Sequence, residues 1–319
     1  MIAVNKVSGE VVAIGKEAHD MQGREARDVQ VIAPLINGVV ADFERTQHML
    51  EHFVREARSG LSHFSRRAVM SVLSGVTQVE QRALLTAAEH ARIGRVYMVE
   101  EGLAAGIGAG VRLDDKHASA VVDIGGGTTN IAVVAQGAII YAHAERIGSA
   151  DIDLAITDRL RRYRGLAIGA PTAERLKLEL ASAMEPSNPN EVVTVKGRDV
   201  QTGSPGAIEV TASEIYEATQ PVVRKIAAEV NTALAELSPE VAADIYDRGI
   251  ILTGGGALLD GMETYMHRET QLGVRCADEP RYAIVRGLAQ LYEEPLLLRR
   301  VTRNEPFMLL DAEAGAFEV

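Results

Sequence analysis

The chain has 319 residues, 47% of them hydrophobic and 24% charged, with a net charge of −11. That length suggests two domains more readily than one, and the composition excludes a disordered chain. The acidic balance argues against broad nucleic-acid binding, and a single cysteine, Cys276, excludes an intramolecular disulfide and a multi-cysteine zinc site.

No apolar run reaches the ~18 residues a membrane span needs. The first stretch, MIAVNKVSGEVVAIGKEAHD, carries acidic residues and no long apolar core, so it does not read as a signal peptide. The expected address is cytoplasmic. Residues 1–15 read as two strands around the Ser8-Gly9 turn. A helix is expected from Val39 to Arg58, with Val40, Phe43, Leu50, Phe53, Val54 and Ala57 on its inner side. A strand from Arg67 to Val72, a helix from Gln78 to Arg92 and a short apolar run from Val96 to Val99 follow. The run leads into EEGLAAGIGAG, a helix whose small residues suit close approach of other backbone.

Ala118 to His143 reads as a three-strand meander: SAVVDI, a turn, TNIAVVA, the Gln136-Gly137 turn, and AIIYAH. Helices are expected at about 150–164 and 172–184, then a loop-and-strand region holding three of the ten prolines. A long helix should run from Ala212 to Leu237 with Pro221 bending it. Ser238-Pro239 opens a short helix, as a serine cap followed by proline. Ile250 to Leu252 reads as a buried strand, and a last helix lies near 281–293. Strand meanders alternating with helices give an α/β class.

Two glycine turns carry the chemistry. Asp123 sits at the end of an apolar strand, and Gly125, Gly126, Gly127, Thr128 and Thr129 follow. Glycine lets backbone N–H groups point at a bound anion, and the two threonines add hydroxyl donors. A carboxylate beside such a cradle suits hydrated magnesium, which keeps waters and takes one or two carboxylates with phosphate oxygens. The second turn, Gly254-Gly255-Gly256, follows the strand IILT and precedes a short helix at Ala257, again a phosphate-facing arrangement. Neither turn is a Walker loop or GxGxxG. Their plainer readings are a glycine hairpin and a tight strand-to-helix turn. His48-Met49-Leu50-Glu51-His52 fits HxxEH, but both histidines fall opposite Leu50, Phe53 and Val54, on a face that reads as solvated. Cys276 reads as a small buried residue.

DIGGGTT and TGGGALL, about 130 residues apart, form the pattern of actin-like ATPases. GKEAHDMQGR, GVVADFERTQHML, GVTQVEQRAL, EEGLAAGIGAG, RIGSADIDLAI, PTAERLKLELASA and RGIILTGGGALL resemble the MreB family of bacterial actins from residue 10 to about 290. The resemblance implies an actin-like fold of two domains around a cleft for ATP and magnesium. It divides the chain into domain I at 1–112, ending in a linking helix at 100–112, domain II at 113–285, and a return to domain I at 286–319. It implies homopolymer filaments on the inner face of the cytoplasmic membrane that work with the cell-wall elongation machinery and set cell shape.

Residue by residue, Asp123 takes the place of the magnesium-facing aspartate, through water. Gly125 to Gly127 and Thr129 take the second phosphate loop, and Glu101 the residue that orients the attacking water. Gly254 to Gly256 take the adenosine loop. Glu174 and Lys177 match positions that contact ribose and base; they share one helix face, with Leu176 and Leu180 on another. Without the resemblance they read as a surface ion pair. The implied chemistry is slow ATP hydrolysis by placement and electrostatics.

Departures are also present. The family's first phosphate loop, a DLGTANT-like turn between two strands, has no counterpart here; the missing unit is roughly 25–30 residues. A start inside a longer reading frame is the favoured expectation, because the rest of the domain is well patterned. The alternative is a degenerate structural paralogue that binds nucleotide weakly or not at all and co-assembles with a complete MreB. Ser71-Val72-Leu73, Gly102, Ser149 and Leu178 also differ from the family pattern. A sugar kinase or chaperone on the same fold is disfavoured by length and the lack of an acceptor site. For the membrane, Leu61 and Phe64 in Gly60–Phe64, flanked by Arg58, Arg66 and Arg67, read as an inserting loop. Folding back onto the core is the other reading.

Overall fold

The computed structural model describes residues 1–57, 67–302 and 307–308. Leu61 and Phe64 therefore lie outside the described residues.

The opening residues form the hairpin Ile2–Asn5 and Val11–Ile14, as the Ser8-Gly9 turn predicts, and Val29–Ile32 adds to its other side. Asn37 and Gly38 both take positive φ, 49° and 75°, and join the two-residue strands Leu35–Ile36 and Val39–Val40. The expected helix from Val39 thus starts later, at Phe43, because an Asn-Gly hairpin occupies its first residues. Asp42 is its cap, accepting from the Arg45 N–H at 3.0 Å. This helix, Phe43–Glu56, buries Thr46 and Met49, and Phe53 stays 49% exposed, contrary to the face read from spacing. Its inward face is rotated toward the neighbouring helix Gln78–His90 and the strand Arg67–Val72, against which Leu50 and Val54 pack.

Arg67–Val72 and Arg95–Glu100 pair in parallel across the helix Gln78–His90, whose Thr77–Glu80 capping box is complete. The helix that follows covers Glu101–Gly108 and not the whole of 100–112, since the chain turns at Gly110 with φ +86°. Its small residues meet backbone, as expected. A Cβ on Gly108 would overlap the Ala283 carbonyl, and one on Gly287 the Ala104 carbonyl, so the helix Ala283–Glu293 lies against it at backbone distance.

The larger sheet has five strands in the order Ala138–Glu145, Thr129–Ala135, Ser119–Ile124, Ile250–Thr253, Val274–Cys276. The first three are the predicted antiparallel meander. Ile250–Thr253 then pairs in parallel with Ser119–Ile124, placing Thr253 beside Asp123. The strands Ser119–Ile124, Thr129–Ala135 and Ile250–Thr253 are buried throughout, which explains why they are mostly apolar without alternation. The helices Ala212–Ala235, Pro239–Arg248 and Met262–Thr270 supply the core packed against this sheet. A second core joins the helices Ser149–Arg164 and Ala170–Leu180 to the hairpin Val192–Asp199/Pro205–Thr211. The Ala170–Leu180 helix ends before the expected 184, where Ser182 bridges to Asp260.

Candidate functional site

Parallel pairing brings the two glycine turns together. Asp123 and Thr253 are register partners near the carboxyl ends of adjacent strands, and Gly125–Gly127 and Gly254–Gly256 follow them at the same sheet edge. Ligands of α/β sheets bind at such an edge. A cavity of about 480 Å³ opens there, lined by Asp123, Gly125, Gly126, Gly254, Gly255 and Gly256, and also by Glu174 and Lys177.

Each turn is held by close packing. The Gly125 N–H donates to the Thr128 carbonyl at 2.8 Å, closing the turn on itself. The Gly125 and Gly126 carbonyls accept from Ser149 and Ala150 N–H at 2.9 and 2.7 Å, so the first turn of the Ser149–Arg164 helix anchors the loop. That approach requires glycine at 148, where a Cβ would press on the Gly126 carbonyl. Gly254 takes φ +81°, and a Cβ there would overlap the Ile124 carbonyl. Gly255–Leu258 is one 3-10 turn and not an α-helix start; the α-helix begins at Met262.

The predicted phosphate residues divide. Gly126 faces the cavity, and its N–H donates to no described acceptor. Gly127 sits against Asn37, Thr128 is buried, and the Thr129 hydroxyl donates to the Ile147 carbonyl at 2.8 Å. None of these three lines the cavity.

Asp123 is 3% exposed, and its Oδ1 accepts from Thr253 Oγ1 at 2.8 Å. Burial pushes its carboxyl up, and hydrogen bonds from Thr253 and Asn130 hold it back. Both partners are neutral, so a carboxylate here is buried without a counter-charge, which fits a cation arriving from the cavity. Glu101 sits on the other side of Asn130. Its Oε2 accepts from Asn130 Nδ2 at 2.8 Å and its Oε1 from Ser71 Oγ at 3.4 Å. Burial and the nearby Asp123 charge raise its carboxyl to about 7. Glu101 opens into a different cavity of about 500 Å³, among Leu35, Val72, Leu73 and Leu288.

Asn130 escaped the sequence reading. It is 1% exposed, is the register partner of Asp123 on the adjacent strand, and donates to the Glu101 carboxylate. The readable signal was its polarity inside the otherwise apolar IAVVA strand, directly after the threonines.

Glu174 and Lys177 do not pair with each other. Lys177 Nζ donates to Asp153 Oδ2 at 2.8 Å, and Glu174 Oε2 lies 3.2 Å from His19 Nε2. Leu176 and Leu180 are buried, as the face assignment requires. His48 and His52 are half-buried and line a cavity of about 620 Å³ together with Val11–Ile14, Glu17 and the exposed Arg55. Cys276 is half-buried with Sγ 4.0 Å from the Ala257 carbonyl, and burial pushes its thiol up.

A family model described as MreB/Mbl protein matches residues 1–300. The chain is similar to the cell shape-determining protein MreB of Haemophilus influenzae, 40% identical over 285 residues that cover 89% of this chain and 81% of that protein. It is also similar to the crystal structure of MreB5 of Spiroplasma citri bound to ADP. That match has a TM-score of 0.87 and 29% identity, covering 94% of this chain and 89% of that one. A MamK double helical filament matches with a TM-score of 0.76 and 23% identity over 92% of this chain and 90% of that one, a likeness of fold.

Proposed function

The chain belongs to the MreB/Mbl protein family and has its actin-like α/β fold, and from that premise we propose that it binds ATP between the two glycine turns and assembles into filaments that shape the cell. The observation that carries the nucleotide reading is Asp123. It is a buried carboxylate with only neutral partners, lining a cavity that both glycine turns also line.

The proposed roles follow from the geometry. Gly126 offers a backbone N–H to phosphate oxygens, and Gly254–Gly256 keep side chains away from the nucleoside. Glu174 and Lys177 face the sugar and base. Asp123 would hold magnesium through water, and that ion would neutralise charge on the β- and γ-phosphates. Glu101, with a carboxyl near neutrality, accepts a proton from the attacking water or orients it. Hydrolysis on such a site serves as a timer for filament turnover. The related MreB protein is described as cell shape-determining, the related MreB5 structure as bound to ADP, and the related MamK as a filament. We extend these properties to this chain, with attachment to the inner membrane face and contact with the wall-elongation machinery as part of the same reading. Among the described residues no helix is long and apolar enough to cross a membrane.

A second reading has its own support. Asp123 and Glu101 line different cavities, and the Thr129 hydroxyl is committed to Ile147. A paralogue that co-assembles with a complete MreB and hydrolyses nothing fits those facts. The two readings separate in one experiment on purified protein: thermal shift with magnesium and ATP, followed by phosphate release and sedimentation. Stabilisation, slow release and pelleting with ATP support the first. No stabilisation and no release sink it and leave the second.

A further inference from the structure

Lys177 is not a free surface lysine. Its Nζ donates to Asp153 Oδ2 at 2.8 Å and to the Ser149 carbonyl at 3.2 Å. The Lys177 and Asp153 side chains are only 11% and 19% exposed. An ammonium has three N–H donors. Two are committed here, leaving one for the cavity that Lys177 lines.

Asp153 is an expensive residue in this position. Burial pushes its carboxyl up, the Lys177 ammonium pulls it down, and Glu174 adds a smaller upward push. Its Oδ1 is buried with no partner. An orphaned buried oxygen costs stability, so its presence calls for an explanation. What it does is hold the lysine. Ser149 and Asp153 sit in the first two turns of one helix, and Ser149 and Ala150 N–H groups of that helix start also anchor the Gly125 and Gly126 carbonyls. One helix start therefore holds a wall residue of the cavity and the glycine turn at a fixed separation.

We infer that Asp153 is a positioning residue for the nucleoside end of the ligand, acting through Lys177. It aims the remaining lysine N–H at an acceptor on the sugar or base of a purine nucleotide, while the same helix start holds the turn that meets the phosphates. This rests on the nucleotide binding proposed above and names the residue that governs one end of it. The ligand class is a nucleoside di- or triphosphate with an acceptor at its sugar or base; a bare polyphosphate lacks the part that Lys177 reads.

The test compares ATP with inorganic tripolyphosphate, both with magnesium, by calorimetry on the full chain. Asp153→Asn should weaken ATP about tenfold or more, the size of one charge-assisted contact. It should weaken tripolyphosphate about twofold at most. In a Lys177→Met background the same substitution should cost nothing further, because contacts acting through one side chain are not additive. Asp153→Glu should fall between wild type and Asp153→Asn. Equal loss on both ligands, a loss that adds to that of Lys177→Met, or no loss at all overturns the inference and leaves nucleotide binding standing. If Asp153→Asn does not fold, Asp153→Glu is read on the same pair of ligands, and an unchanged ratio of affinities overturns it. A wild-type protein that binds neither ligand overturns the inference together with the functional reading.

Discussion

Asn130 and Asp123 are register partners on adjacent strands, and the Asn130 amide also donates to Glu101 Oε2 at 2.8 Å. One neutral side chain thus stands beside Asp123 in the sheet and holds the Glu101 carboxylate. Thr253, the partner of Asp123 on its other side, completes a row of three across the sheet. The charge state of the site depends on this row.

Glu101→Gln tests that charge state. The Glu101 carboxyl is raised from 4.5 to about 7, so between those values the folded chain holds a proton that the unfolded chain releases. Stability from this group is present at low pH and is lost as pH rises from 4.5 to about 7. Glu101→Gln should remove that loss and gain about 2–3 kcal/mol over wild type above the window. Urea unfolding at pH 5 and pH 8 checks it; a gain of equal size at both pH values contradicts the assignment. ATP hydrolysis should fall by roughly a hundredfold or more, the worth of a proton acceptor in place.

Asn130→Asp puts a third carboxyl between two others. It should destabilise by about 2–4 kcal/mol at pH 8 and by less at pH 5, where the acids share protons. Asn130→Ala also loses the bond to Glu101 but adds no charge, so its cost should depend less on pH. Chemical denaturation of both variants at the two pH values decides between a lost hydrogen bond and added repulsion.

Thr253→Val keeps the shape of the side chain and removes the hydroxyl that bonds Asp123 at 2.8 Å. The expected cost is about 1.5–3 kcal/mol at pH 8, the range for a hydrogen bond to a charged group. Magnesium should restore part of it, because a cation supplies the charge compensation that Thr253 gave. Denaturation with and without magnesium reads both effects.

Gly287→Ala places a methyl group where the Ala104 carbonyl already lies, and Gly108→Ala does the same at the Ala283 carbonyl. Helix propensity alone favours alanine by about 1 kcal/mol. The clash should reverse that sign and cost about 1–3 kcal/mol. A thermal melt shows which term wins.

On the proposed membrane attachment, Leu61→Ser with Phe64→Ser should reduce co-sedimentation with anionic liposomes, since inserting each side chain would contribute on the order of 2–3 kcal/mol and a filament would multiply the contacts. Unchanged pelleting with lipid removes this loop from the membrane reading.

Much of the fold is legible in the sequence. Apolar runs and turn residues marked the meander from Ala118 to His143, and the two triple-glycine turns, which parallel pairing brings together, stood out because glycine lets backbone approach that closely. The small-residue helix at Glu101 announced its close neighbour. Where helical spacing and a turn signal compete, the turn wins: Asn37-Gly38 forms a hairpin, so the helix waits for its Asp42 cap.

What the sequence determined by itself, then, is the set of strands and turns and the residue types each carries, since these follow from spacing within a dozen residues. Tertiary structure alone decided the pairings. Thr253 reaches Asp123 across 130 residues only because their strands run parallel in one register. Asn130 meets Glu101, and Asp153 meets Lys177, through helices and strands brought together by packing. Hydrogen bonds and charge coupling act over a few ångströms in space, whatever the separation along the chain, so which carboxylate is shared, held or left without a partner is written in the fold.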